Sequence, residues 1–316
     1  MIETRGLTKR YGSFLAVDGI NLTIPRGEIY GFLGPNGAGK TSTIMMLLGI
    51  VRPTAGEIRL FGEAYTPGRL DLRRRIGVVP EKHPRGVWHW MSAEDYLGLF
   101  ADLFEVPDSA ARIHMLLSRV DLAAVRRRRI RDFSRGMLQK LSIIRALLSD
   151  PDILFLDEPI SGLDPLGIKQ VRDLIISENR EGRTIFISSH QLSEMEKICH
   201  RVAIIFQGRL MAEDSMTSLI SRISPDRQIH IELEAVPAGL LEKLRGLPFV
   251  REASTDANTV VVKISKEGDY RKMLAELLIR DGIVALSLAE KVPSLEDAFM
   301  TITQENVATF TGGRTA

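Results

Sequence analysis

Short apolar runs bounded by glycine or proline alternate with helix-patterned stretches through the first two thirds of the chain. The runs INLTI, EIYGFLG, GEIRLFG and IGVVP are rich in β-branched residues and have the length of strands. Residues 92–148 are instead rich in leucine at helical spacing. The later runs DILFLDE and TIFISSH are continuously apolar, as parallel strands buried on both faces are. The alternation predicts an α/β fold with a helical subdomain at about residues 90–150.

The pattern changes near residues 224–227, within the stretch SRISPDRQ. Beyond it, strand-like and helical runs follow one another in the order β-α-β-β-α-β, which is typical of a small ferredoxin-like α+β domain. We therefore predict a first domain at residues 1–223, a second domain at residues 227–305 and a flexible tail at residues 306–316.

Composition excludes some classes of protein. Hydrophobic residues make up 44% of the 316 residues, which is enough for a large core. The 42 basic and 40 acidic residues give a net charge of +2. A nucleic-acid-binding protein usually carries a concentrated basic excess, so we expect no nucleic-acid partner. The single cysteine, Cys199, rules out an internal disulfide and fits a reducing compartment.

We expect neither a secretion signal nor a membrane span. The N-terminal stretch MIETRGLTKRYG has no apolar run behind its charges. No apolar run approaches the roughly 20 residues that cross a bilayer. A role at a membrane would therefore require a second chain that supplies the spans.

The stretch GPNGAGKT matches the phosphate-binding pattern G-x-x-x-x-G-K-[ST] and lies between a strand-like run and a helical one. In such a loop, backbone N–H groups surround a phosphate, the lysine adds a positive charge, and the threonine hydroxyl can bind Mg²⁺. The pattern predicts nucleotide contacts at Gly34, Pro35, Asn36, Gly37, Ala38, Gly39, Lys40, Thr41 and Ser42, with Mg²⁺ at Thr41.

Two acidic residues end the buried strand DILFLDE. Asp157 at that position can hold Mg²⁺, and Glu158 can take a proton from a water that attacks the terminal phosphate. His190 ends the next apolar strand and can donate a hydrogen bond to that phosphate. Since parallel strands present functional groups at their carboxyl ends, we expect Gly34, Asp157 and His190 to meet at one edge of the sheet.

Together these motifs resemble the nucleotide-binding subunit of ABC transporters, over roughly residues 1–213. GPNGAGKT is similar to the Walker A motif, ILFLDE to Walker B, SGLD at residues 161–164 to the D-loop, and His190 to the switch histidine. The resemblance implies a P-loop ATPase fold, ATP with Mg²⁺ as its ligands, Lys40, Glu158 and His190 as catalytic residues, and Asp164 as a nucleotide-site residue. Tyr11 matches the aromatic residue that stacks on adenine, the alternative being a surface tyrosine near a turn.

The stretch FSRGM occupies the place of the signature motif LSGGQ of that family. Ser134 and Gly136 precede a helical run, where a hydroxyl and free N–H groups can bind an anion. The resemblance implies that they cover the ATP held by another chain, so that two such chains, a homodimer or a pair of related ATPase subunits, share two ATP molecules. This sequence departs from the pattern at Arg135, where the family has glycine, and at Met137, where it has glutamine.

A second departure is Glu81, in the stretch IGVVPEKH, at a position where the family usually has glutamine. A carboxylate there can still bind Mg²⁺ but adds a negative charge beside ATP. Nearby, Trp88 and Trp90 either form an interface with a membrane partner or fill the junction between the sheet and the helical region. The basic run at residues 126–132 fits a solvated loop better than a patch for nucleic acid or lipid.

The C-terminal part resembles the small appended domain of the drug- and lipid-exporting branch, and no catalytic constellation is visible in it. The resemblance implies an ATPase subunit at the cytoplasmic face of the cell membrane, bound to a permease and acting as an exporter. Two alternatives remain at this point. One is a soluble ABC ATPase acting on nucleic acid or ribosomes, which the single P-loop disfavours. The other is a binding module that does not hydrolyse ATP, which Glu158 and His190 disfavour.

Overall fold

The computed structural model of the chain describes residues 1–66, 68–81, 88–223, 226–265, 268–291 and 294–302. It divides into two compact units, of which one contains Met1–Met216 and the other Thr217–Thr301. The predicted tail at residues 306–316 lies outside the described residues. No helix among the described residues is both long and apolar enough to cross a membrane.

The first unit contains two sheets. Its strands are β1 (Ile2–Tyr11), β2 (Phe14–Ile24), β3 (Ile29–Leu33), β4 (Ala55–Leu60), β5 (Glu63–Ala64), β6 (Ile76–Val79), β7 (Ile153–Asp157), β8 (Thr184–Ser189), β9 (Arg201–Phe206) and β10 (Arg209–Ser215). One sheet has four antiparallel strands in the order β2-β1-β4-β5. The other has six strands in the order β10-β9-β3-β8-β7-β6 and is parallel except for its edge strand β10.

Helices cover and extend these sheets. They are α1 (Lys40–Leu47), α2 (Leu70–Arg73), α3 (Ala93–Leu103), α4 (Ser109–Arg119), α5 (Arg135–Leu147), α6 (Pro165–Arg180) and α7 (Leu192–Met195). The α/β fold predicted from the alternating pattern is confirmed. Helices α3, α4 and α5 occupy the stretch predicted to be a helical subdomain, and each buries leucines such as Leu97, Leu117 and Leu141.

Aromatic packing fixes the centre of the six-stranded sheet. Phe32 of β3, Phe155 of β7 and Phe186 of β8 are fully buried, and their ring centroids lie 5.4 Å apart from strand to strand. Every residue of β3, β7 and β8 is buried, as expected of central strands in a parallel sheet. Phe32, Phe155 and Phe186 share one apolar cluster with residues of β1, β2 and β4 and of helix α1. The strand ends that carry the candidate site are therefore held on a rigid support.

Helix α8 (Met216–Ile223) begins at the last residue of the Met1–Met216 segment and continues into the second unit. The second unit also contains β11 (Arg227–Leu233), α9 (Leu240–Arg245), β12 (Val250–Asp256), β13 (Thr259–Ile264), α10 (Arg271–Arg280), β14 (Ala285–Lys291) and a helix that begins at residue 295. Its four strands form an antiparallel sheet in the order β12-β13-β11-β14. Ile231, Val262, Leu244 and Leu274 belong to one buried apolar cluster. The β-α-β-β-α-β order expected from the sequence is present.

Candidate active site

The loop between β3 and α1 forms the phosphate cradle that the sequence predicts. Helix α1 begins at Lys40, and its N-cap, Gly39, has φ 107°. A side chain at Gly39 would also come within 2.5 Å of the carbonyl oxygen of Ala16, so only glycine fits there. The Lys40 ammonium is buried and donates hydrogen bonds to the carbonyl oxygens of Gly34, at 2.6 Å, and Pro35, at 3.3 Å. These bonds hold the lysine inside the loop, pointing along its concave side.

The ends of β7 and β8 bring the predicted catalytic residues into contact. His190 Nδ1 lies 2.8 Å from Glu158 Oε2, and Lys40 Nζ lies 3.6 Å from Glu158 Oε1. The second distance is an ion pair but too long for a hydrogen bond, so the buried Glu158 Oε1 has no hydrogen-bond partner among the described residues. A buried carboxylate oxygen without a donor is free to accept a proton or to bind a cation.

The backbone of Glu158 is strained. Its φ of 50° lies in the left-handed region, which costs a non-glycine residue on the order of 1–3 kcal/mol. The Glu158 N–H donates to the carbonyl oxygen of Ser188, at 3.1 Å, and lies 3.3 Å from the Ser188 hydroxyl. These contacts with β8 hold the carboxylate in the cleft instead of letting it turn outward.

Asp157 lies beside Glu158 and is also buried. Burial raises the pKa of its carboxyl group, and the charges of Glu81 and Glu158 add to this effect, whereas the Ser188 hydroxyl and Lys40 oppose it. Ser188 donates its hydroxyl hydrogen bond to Asp157 Oδ1. Burial disfavours the charged form of this carboxylate, and a bound cation would offset that cost. Such an environment is expected for a carboxylate that binds a metal ion.

These residues line one cleft of about 350 Å³. Of the residues predicted from the sequence, the following line it: Pro35, Asn36, Gly37, Gly39, Lys40, Thr41, Ser42, Glu81, Asp157, Glu158 and His190. Gly34 and Ala38 are buried in the floor of the loop. The donor set is entirely oxygen at Thr41, Glu81 and Asp157, which is the set that Mg²⁺ prefers, so these residues fit that ion.

Three residues that line the cleft are not among the site residues predicted from the sequence. They are Phe14, Ala16 and Ser161, whereas the predicted Tyr11 does not line the cleft. Tyr11 is 46% exposed at the end of β1 and pairs across the hairpin with Phe14, which is 62% exposed. A second aromatic residue three positions after Tyr11 is the sequence signal that could have identified Phe14.

A second cavity, of about 330 Å³, is lined by three more of the predicted residues. Ser134, Gly136 and Asp164 line it, and none of them lines the cleft with Lys40. Ser134 is the N-cap of α5 and accepts a hydrogen bond from the Met137 N–H at 3.2 Å. Asp164 is the N-cap of α6 and accepts from the Gly167 N–H at 3.0 Å. The residues of the predicted phosphate cradle and those of the predicted signature motif therefore line two separate cavities of one chain. We call the second the signature cavity, and its lining the signature surface.

The chain is similar over almost its whole length to known transport proteins. Residues 17–161 match the model of the family described as ABC transporter. The bacitracin transport ATP-binding protein BcrA of Bacillus licheniformis is 38% identical over 96% of this chain and 97% of that protein. The Nod factor export ATP-binding protein I of Burkholderia orbicola (strain AU 1054) is 35% identical over 96% of each.

A solved structure described as the ATP binding subunit of an ABC transporter has a TM-score of 0.64 and 28% identity to this chain. The match covers 70% of this chain and 92% of that one.

The fold and the cleft define a P-loop ATPase. The chain belongs to the ABC transporter family, as an ATP-binding and ATP-hydrolysing subunit that drives a membrane transporter. The family resemblance found in the sequence motifs is thereby confirmed.

Proposed function

We propose that two copies of the chain, each holding Mg²⁺ and ATP in its cleft, pair so that the signature surface of one closes the cleft of the other. The observation that carries this proposal is the separation of the two cavities. Lys40 and Glu158 line one cavity, and Ser134 and Gly136 line another, so a single chain covers an ATP phosphate from one side only. Free N–H groups and a hydroxyl at the start of α5 suit the exposed side of that phosphate.

The residues of the cleft have distinct roles in this proposal. The loop backbone and Lys40 bind the β- and γ-phosphates, and Tyr11 stacks on adenine. Thr41, Asp157 and Glu81 would hold Mg²⁺, which neutralises charge on the phosphates when bound. Asp164 belongs to the surface that meets the second copy.

Glu158 takes the proton from the attacking water, because it lines the cleft and its buried Oε1 lacks a hydrogen-bond donor among the described residues. His190 orients that carboxylate through the contact with Oε2. Hydrolysis removes the phosphate that bridges the two copies, so they separate and the cycle can drive a permease.

The transporter partner is a permease, and the complex acts as an exporter at the cytoplasmic face of the membrane. The names of the relatives support this: they include a bacitracin transport protein, a Nod factor export protein and a daunorubicin resistance protein. The second unit, Thr217–Thr301, serves to stabilise or regulate the pairing.

The surface that meets the permease lies around α3. Trp90 and Leu103 are each 69% exposed, and Leu99 is 41% exposed. By contrast, the Trp88 ring packs edge-on against Tyr96 and Phe100. Each tryptophan therefore suits a different one of the two expected roles. Trp88 fills a junction within the chain, and Trp90 offers apolar surface to a membrane partner.

The substitution Glu158→Gln tests the catalytic assignment and the pairing together. It should lower phosphate release by about 10²–10⁴-fold and leave an ATP-bound dimer that persists in sedimentation velocity. Glu105→Gln, which alters an exposed surface ion pair with Arg74, is the matched control and should leave both readouts unchanged. Undiminished phosphate release by Glu158→Gln would remove Glu158 as the base.

A further inference from the structure

Two residues at which this chain departs from the pattern of its family carry opposite charges and line opposite walls of the proposed shared site. Glu81 lines the cleft, and Arg135 lines the signature cavity. Both side chains are exposed. Neither makes a hydrogen bond or an ion pair with any residue that the structure describes.

The Arg135 side chain lies beside a glycine of the loop that precedes α6. Its guanidinium lies against Gly162, where an added Cβ would collide with Nη1 and Cζ. Gly162 has φ 66°, a conformation that side chains rarely adopt, so the bare backbone there leaves room for the flat guanidinium. The guanidinium therefore lies on the signature surface, beside the segment that ends at Asp164.

The cleft has an excess of negative charge that Glu81 increases. Its described ionisable groups are the carboxylates of Glu81, Asp157 and Glu158, the Lys40 ammonium, and His190. The effect of Glu81 is local, since its charge contributes to the raised pKa of Asp157. The phosphates of ATP add further negative charge to the cleft. An opposing surface that carries a positive charge would be attracted to the cleft, whereas one without a positive charge would not.

We propose that, when two copies close around ATP, Arg135 of each copy pairs with Glu81 of the other. The inference rests on the proposed function, because the two residues meet only if the signature surface covers the cleft. A two-fold axis makes the pair self-complementary, since each copy supplies one arginine and one glutamate. The pair therefore selects a second copy of this chain over a related ATPase subunit that carries glutamine and glycine at the two positions.

The test is a double-mutant cycle on nucleotide-driven assembly, measured as the dimer dissociation constant by sedimentation with Mg²⁺ and a non-hydrolysable ATP analogue. Arg135→Gln should weaken the dimer about tenfold when Glu81 is present, the lower end of coupling seen for close interfacial charge pairs. In chains that also carry Glu81→Gln, the same substitution should change the dissociation constant by less than about twofold. Arg127→Gln, at an arginine of the preceding basic run whose side chain is 83% exposed, is the control and should leave assembly unchanged.

The possible outcomes separate the pair from the shared site. Equal tenfold losses with and without Glu81 would show that Arg135 acts on another group and would overturn the pair alone. No loss in either background would also overturn it. Failure of the unsubstituted chain to dimerise with the nucleotide would overturn both the pair and the proposed function. A reduced affinity of the isolated Arg135→Gln chain for the analogue, measured below the concentration of dimerisation, would show a defect within one chain and would likewise contradict the pair.

Discussion

Glu158 and His190 come from the ends of two neighbouring parallel strands, and His190 Nδ1 lies 2.8 Å from Glu158 Oε2. Glu158 is buried, whereas the His190 side chain is 46% exposed. A carboxylate only accepts hydrogen bonds, so an ionised Glu158 requires the proton on Nδ1. The histidine thereby holds one carboxylate oxygen and leaves the other, Oε1, without a hydrogen-bond donor among the described residues.

The first prediction concerns this contact. His190→Ala should lower the rate of ATP hydrolysis by roughly 10- to 100-fold without weakening ATP binding, because the base loses its orientation but the phosphate cradle is intact. His114→Ala, at an exposed position of α4, is the control and should match the unsubstituted chain. An equal loss of ATP affinity and turnover would instead assign His190 to nucleotide binding.

A second prediction follows from the raised pKa of Asp157, which burial causes. The folded chain holds the Asp157 proton more tightly than the unfolded chain does. The tighter binding of this proton stabilises the folded chain at low pH. The stabilisation is lost as pH rises from the ordinary aspartate pKa of about 3.9 through the raised pKa of Asp157. At neutral pH the ionised carboxylate is destabilising.

Asp157→Asn should therefore make the chain more stable than the unsubstituted protein at pH 8, and the difference should shrink towards pH 4. Unfolding in urea can be followed by the fluorescence of Trp88 and Trp90, the only two tryptophans, which both lie in the first unit. The same substitution should abolish Mg²⁺-dependent hydrolysis. If the stabilisation of Asp157→Asn over the unsubstituted chain were smaller at pH 8 than at pH 4, the pKa of Asp157 would not be raised in the folded chain.

The third prediction separates the two aromatic residues of the β1–β2 hairpin. Tyr11→Ala should weaken ATP binding by about tenfold, the effect expected from loss of one base-stacking side chain, and Tyr11→Phe should restore it. Phe14→Ala is the comparison, since Phe14 lines the cleft and Tyr11 does not. If Phe14→Ala causes the larger loss of affinity, adenine stacks on Phe14 and the assignment made from the motif is wrong.

The central strands could be predicted from the sequence because their signals are local. Strands β7 and β8 are continuous apolar runs, and the rule that parallel strands present functional groups at one edge places Asp157 and His190 at the cleft. Strand β1 was not predicted, because four of its ten residues are charged and its pairing with β2 and β4 shifts register several times. Helix α6 was also missed, although Asp164 followed by proline is a helix-start signal.

The contacts within the site depend on distant pairing and were not predictable in the same way. Ser188 contacts Asp157 and Glu158 only because β7 and β8 lie side by side. The packing of Arg135 on Gly162 likewise requires α5 to begin beside the loop that precedes α6. Motifs predicted which residue types are present, whereas tertiary structure decides which atoms touch.

The most direct test of the account mixes two inactive chains, one carrying Lys40→Ala and the other Ser134→Asp. Aspartate keeps the N-cap of α5 but places a negative charge where the phosphate of the second copy should lie. A mixed dimer then contains one site with both defects and one site with neither. If the site is shared, an equal mixture should regain about a quarter of the unsubstituted ATPase rate, since half of the dimers are mixed and each has one intact site. A mixture no more active than the average of the two separate variants would contradict the shared site.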